Sequence, residues 1–260
     1  MLTILILGLL VGIILGLTGA GGGILAIPAL MFSQGWSVTQ AAPIGLLAVT
    51  GAAIVGAVEG FLRKLVRYRA AIWIALMGIP MTPVGLYVAQ LLPAHWLMTA
   101  FAITMLVVAA RLLIPTANNE IYHPCNINPD TGRLNWTPMT VVILGGIGML
   151  TGFLTGLLGV GGGFVLVPAL RKATDISMHG IVATSLMVIA LVGSAGIISN
   201  LMQGHEFPLA IALPFIIACI LGMFSGRQLI NLFKAQTVQR VFALFVIGVA
   251  MLMLFKAQQV

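Results

Sequence analysis

Charge is what this sequence has least of. Of 260 residues five are acidic and twelve basic, a charged fraction of 7%, against roughly 25% in ordinary soluble domains. So few charges cannot cover a water-exposed surface, and with 60% of residues hydrophobic the chain reads as an all-α integral membrane protein. The scarcity of acids removes a carboxylate-built metal site. Neither His-Glu-x-x-His nor Gly-x-Ser-x-Gly occurs, so the chain is not expected to be an enzyme or to carry a metal or cofactor. Two cysteines, Cys125 and Cys219, make no disulfide framework, and Cys125 beside His123 is too sparse for the four ligands of a closed zinc site. No aromatic-basic groove accompanies the net charge of +7. The bases stand at the ends of apolar runs, where they set orientation in a bilayer, and no nucleic-acid partner is expected. Lys and Arg are absent ahead of the first apolar run, so that segment is read as part of the mature chain and not as a signal peptide.

Glycine is plentiful and patterned. The stretch Gly16-Leu-Thr-Gly-Ala-Gly-Gly-Gly-Ile-Leu-Ala-Ile-Pro-Ala-Leu30 returns 140 residues later as Gly156-Leu-Leu-Gly-Val-Gly-Gly-Gly-Phe-Val-Leu-Val-Pro-Ala-Leu170, and residues 8–30 match 148–170 at 12 of 23 positions. A glycine-rich break inside an apolar segment, once in each half, is the pointer to a transporter binding site. The chain therefore divides into an N-terminal membrane repeat (1–114), a polar linker (115–137) and a C-terminal repeat (138–260). Each repeat is a glycine-broken segment plus three transmembrane helices. The spans are expected at about 39–62, 70–92 and 96–114, then at 177–203, 208–233 and 238–255, with broken segments beginning at 2 and 138. Residues 2–17 are too short to cross comfortably, since roughly 20 are needed.

The bases test the arrangement. If each broken segment is re-entrant, Arg63, Lys64, Arg67, Arg69, Arg111, Arg133, Arg171, Lys172, Lys234 and Arg240 all fall on one side, ten of the twelve. If it crosses once, the cluster at 171–172 faces away from that at 63–69. The positive-inside rule favours the re-entrant arrangement, which makes the halves an inverted repeat.

Non-helical backbone at membrane depth is tolerated only when buried in protein or lining a watery cavity. If Ile24 and Phe164 each open a short helix, the amides of Gly21, Gly22, Gly23, Gly161, Gly162 and Gly163 are free donors at positively polarised helix ends, which suit an anion. Gly19 and Gly159 begin the two breaks. The ladders Gly8, Gly12, Gly16 and Gly148, Gly152, Gly156 have the four-residue spacing of close helix packing, and packing accounts for them. Three consecutive glycines exceed what packing needs, and a small anionic substrate is the expected ligand.

The duplicated glycine break followed by Pro-Ala-Leu, with Ala183-Thr184-Ser185-Leu186 early in the next span, resembles the sulfite exporter TauE/SafE family over about residues 8–255. That resemblance implies a secondary transporter of sulfur-containing anions (sulfite, thiosulfate or organosulfonates) in the bacterial inner membrane. It also implies substrate-facing hydroxyls at Thr184 and Ser185 beside Gly161, Gly162 and Gly163. The first half reads Pro43-Ile44-Gly45 at the matching place, without those hydroxyls. Charged groups within spans are costly and often functional. Glu59 is a candidate for proton coupling or for an i,i+4 pair with Arg63, and Arg227 for attracting the anion or snorkelling to the interface. His205 and Glu206 fall in a turn. Two other readings stay open from the residues alone: a carrier of a cation or neutral solute held by unwound carbonyls, and a non-transporting membrane subunit.

Overall fold

The computed structural model describes residues 1–19, 21–113, 125, 134–203, 208–229 and 235–257. Most of the linker at 115–137, the turn with His205 and Glu206, and Lys234 lie outside the described residues. Eleven helices are present among the described residues: α1 Leu2–Thr18, α2 Gly21–Gln34, α3 Val38–Leu62, α4 Tyr68–Gly78, α5 Met81–Leu91, α6 Ala94–Leu113, α7 Pro138–Leu158, α8 Gly163–Ala173, α9 Met178–Met202, α10 Leu209–Leu229 and α11 Ala235–Ala257. Six of them are long and apolar enough to cross a membrane, and α4 with α5 makes a seventh candidate bent by 42°. The sequence suggests one helix over 70–92. The bend falls at Pro80, which has no amide to give the ladder and whose ring crowds the preceding turn.

Local chemistry starts the long helices. Ser37 caps α3 in a reciprocal box with Gln40, Thr137 caps α7 with Pro138 in its first turn, and Ser177 caps α9. Each cap satisfies an amide the helix itself leaves without a partner. In their most apolar stretches α9 and α3 are 67% and 61% buried, against 28% for α11, so α3 and α9 are the central pair. Thr50 faces Gly193 and Gly60 faces Ala183. These two helices, the same element of the two halves, therefore run antiparallel.

The halves interlock. Gly8, Gly12 and Gly16 of α1 lie against the carbonyls of Phe215, Cys219 and Met223 on α10, and Gly222 and Gly226 return the contact on Leu9 and Ile13. In the other half Gly148, Gly152 and Gly156 of α7 meet the carbonyls of Ile74, Gly78 and Thr82. Hydrogen in place of a methyl lets the helices approach backbone to backbone, which is how membrane helices associate without a hydrophobic driving force.

A methyl added at Gly12 or Gly152 would overlap the carbonyl of Cys219 or Gly78, whereas Gly146 meets nothing within 4 Å. Gly12→Ala and Gly152→Ala are each expected to lower stability by about 1–3 kcal/mol. Gly146→Ala should be neutral or stabilising, since alanine is the better helix former. Thermal unfolding of the purified variants in one detergent decides it. Equal melting of Gly12→Ala and the unsubstituted protein would contradict this packing.

Candidate functional site

Both breaks turn the chain back on the helix it has just left. Gly19 and Gly159 end α1 and α7 in left-handed backbone, with φ of 73° and 68°, a conformation glycine adopts without steric cost. Gly22 then lies against Val11 and Leu15, and Gly162 against Thr151 and Thr155. These partners match at the repeat offset of 140, so both turns fold back onto equivalent positions of the preceding helix. The return helices begin earlier than expected in the first half, at Gly21 rather than Ile24, and at Gly163 in the second. Gly21, Gly22 and Gly23 thus form a first helical turn, whose amides an α-helix leaves unpaired in any case.

The structure brings the two breaks together. Gly23 abuts the carbonyl of Val160, Gly161 lies near Ile189, and Val49 touches both glycines. Val49 and Ile189 are at the middle of α3 and α9, so the junction sits halfway along the central pair. Gly161 and Gly162 have φ of 76° and 62°. The amides of Gly161, Gly162 and Gly163 donate no hydrogen bond among the described residues. Two buried hydroxyls next to this junction, Thr50 Oγ1 and Thr151 Oγ1, also lack a partner there. Unpaired buried donors are costly, and a polar guest reaching them would offset that cost.

Thr184 and Ser185 are buried, and their hydrogen bonds run to the first half's break and to the entry of α4. Ser185 Oγ donates to the carbonyl of Val182 at 2.9 Å and to that of Gly19 at 3.3 Å, while Thr184 Oγ1 accepts from the Arg67 amide at 3.0 Å. The antiparallel crossing causes this, because it carries the start of α9 to the first half's break. Gly19 rests on Val182, and Gly159 correspondingly on Ala42.

Arg227 does not stand alone. Its Nη1 donates to the Gly56 carbonyl at 2.8 Å and its Nε pairs with Glu59 at 3.2 Å. Glu59 also holds Arg63 at 2.9 Å, the i,i+4 pair foreseen from spacing. The cluster ties α3 to α10 at the end of α3 where the basic residues gather. Met223 fills the space against Gly56 there.

At the other end the matching place is open. A cleft of about 80 Å³ is lined by Thr39, Thr82, Gln90, Thr155 and Asn200, with Gly159 and Gly196 in its wall. Gly196 is the repeat counterpart of Gly56. Sequence reasoning missed these polar residues, although one signal was available. At the offset of 140, Thr151 and Thr155 replace Val11 and Leu15, a polarity change between otherwise matching helices.

Cys125 is buried, and its amide bonds the Ala173 carbonyl at 3.1 Å. Burial pushes its thiol above the usual range, partly offset by a hydrogen bond with Thr140. The geometry defines a multi-pass helical membrane protein of two interlocked halves around a glycine-lined junction. The chain belongs to the sulfite exporter TauE/SafE family, whose model matches residues 4–253, and is a membrane transporter rather than an enzyme. It is 30% identical over 256 residues to a "probable membrane transporter protein" of Xylella fastidiosa (strain 9a5c), covering 96% of this chain and 93% of that one. It is 28% identical over 218 residues to the "probable membrane transporter protein YunE" of Bacillus subtilis, covering 78% of each. No solved structure matches the chain.

Glu59 and Arg227 keep only 23% and 12% of their side-chain surface exposed, so removing one partner strands the other. Glu59→Leu or Arg227→Met alone is expected to cost about 2–3 kcal/mol, and the double variant less than the sum. A double-mutant cycle by thermal unfolding measures the coupling. Strict additivity would show the pair to be incidental.

Proposed function

We propose that this transporter moves a small sulfur-containing anion, such as sulfite, thiosulfate or an organosulfonate, across the bacterial inner membrane by alternating access. The halves 1–114 and 138–260, joined by 115–137, act as an inverted repeat with re-entrant breaks. Supporting this, α3 and α9 are antiparallel, and the returning helices reach opposite ends of α11. Arg171 at the end of α8 bonds Gln239, whereas Phe32 near the end of α2 underlies Lys256 with 5.4 Å from Nζ to the ring centroid.

The observation that carries the reading is the meeting of Gly23 with Val160 beside the unbonded amides of Gly161, Gly162 and Gly163. The anion binds there, held by the N-terminal turns of α8 and α2. A few charge-assisted hydrogen bonds at roughly 1.5–3 kcal/mol each reach the 4–8 kcal/mol of millimolar to micromolar binding once desolvation is offset. Ser185 orders the Gly19 turn and Thr184 the entry to α4, so both support the site from the first break. The substrate class comes from the family's description, and the anionic charge from the helix ends.

The cleft at Thr82, Thr155 and Asn200 is the open access route, and Arg227 with Glu59 and Met223 closes the equivalent place at the cytoplasmic end. Alternation exchanges which of the two is shut. Protons are the candidate coupling ion, with Glu59 released from Arg227 when that end opens.

Flux in proteoliposomes tests the reading. Gly22→Val and Gly162→Val should each abolish uptake of labelled sulfite or organosulfonate, with folding checked by size exclusion. Thr151→Val, which keeps the side-chain shape and removes a buried hydroxyl that has no partner among the described residues, should raise KM about fivefold for one lost hydrogen bond. Undiminished flux in correctly folded Gly162→Val would refute the site. Competition by cations or neutral solutes, with none by sulfur oxyanions, would refute the substrate class.

A further inference from the structure

A second basic site lies away from the junction. The turn between α3 and α4 borders a cavity of about 540 Å³ lined by Lys64, Arg67, Tyr68 and Arg69, with Trp136 and Leu62 beside them. Among the described residues its lining contains three basic side chains, three aromatic rings and no carboxylate, while the nearby Glu59 is already held by Arg63 and Arg227. Phe61 and Leu62 at the end of α3 are 57% and 75% exposed, and Tyr68 and Trp136 are exposed as well. Large apolar side chains left bare at the end of a span mark a surface that meets lipid. Tyr and Trp at the same level mark the membrane-water interface. The Arg67 amide bonds Thr184, so the pocket floor is tied to α9.

We propose that this pocket binds the headgroup of an anionic phospholipid, with the lipid's apolar part against Phe61 and Leu62. Basic pockets at the cytoplasmic ends of membrane helices suit such headgroups. Here the charge is concentrated in a cavity and the apolar wall is continuous with it. A free oxyanion would have no use for that wall. The inference stands apart from the identity of the transported solute, because it concerns another site.

Native mass spectrometry of the full-length protein tests it, after delipidation and titration with phosphatidylglycerol or phosphatidylethanolamine of matched chains. One phosphatidylglycerol should be retained in preference to phosphatidylethanolamine. Lys64→Gln/Arg69→Gln should lower that preference about thirtyfold, each base contributing about fivefold near an anionic headgroup. Lys256→Gln, at the opposite end, should leave it unchanged. Melting temperatures within a degree or so of each other show that the variants fold. Equal retention of the two lipids, an unaffected double variant, or displacement of the lipid by millimolar inorganic phosphate would each overturn the proposal. The last result would assign the pocket to a soluble oxyanion instead.

Discussion

A backbone amide without a partner is tolerated poorly in an apolar slab, and the rest of this structure follows from where such amides are allowed. Two breaks interrupt otherwise regular helices, and both are buried by the protein itself. Their carbonyls and turns find partners, as when Ser185 donates to Gly19, but the amides ahead of α8 do not among the described residues. In the proposed mechanism these bare donors are kept for the transported anion. The free energy lost on leaving them unpaired is recovered when an acceptor arrives.

The junction depends on packing elsewhere. It exists because α3 and α9 cross at their middles, and these two are held by helices exchanged between the halves. The glycine ladders of α1 and α7 make that exchange close enough to matter, with carbonyls of the opposing half where a side chain would otherwise stand. The two ends of the molecule then differ in a way the repeat does not require. Gly56 is covered by Met223 and its carbonyl taken by Arg227, whereas its counterpart Gly196 lines an open cleft. In the proposed mechanism these are the shut and open gates of one symmetric device.

Much of this was legible in the sequence. The spans were readable because about 20 apolar residues closed by basic clusters have few other uses, and the repeat because glycines recur at a fixed offset. The Glu59 and Arg63 pair followed from helical spacing alone. The partner of each glycine ladder was not readable, because four-residue spacing announces close approach without naming what approaches. For the same reason Arg227 appeared solitary, since Gly56 and Glu59 are brought to it only by the packing of α10 on α3. The hydrogen bond of Ser185 to the Gly19 carbonyl was not readable either, because only the antiparallel crossing brings the start of α9 to the first break. Thr151 and Thr155 passed as ordinary span residues, a hydroxyl in a helix being able to bond its own backbone, as Thr155 does to Thr151 at 2.7 Å.

The claim on which all this rests is that a small anion sits against the amides of Gly161, Gly162 and Gly163, facing Gly23. Selenite, a heavier analogue of sulfite, makes its position directly visible through anomalous scattering from crystals of the protein. The account predicts one strong selenium peak within hydrogen-bonding distance of those amides, and its loss in crystals of Gly162→Ala. A peak elsewhere in the bundle, or an empty junction at saturating selenite, would contradict it.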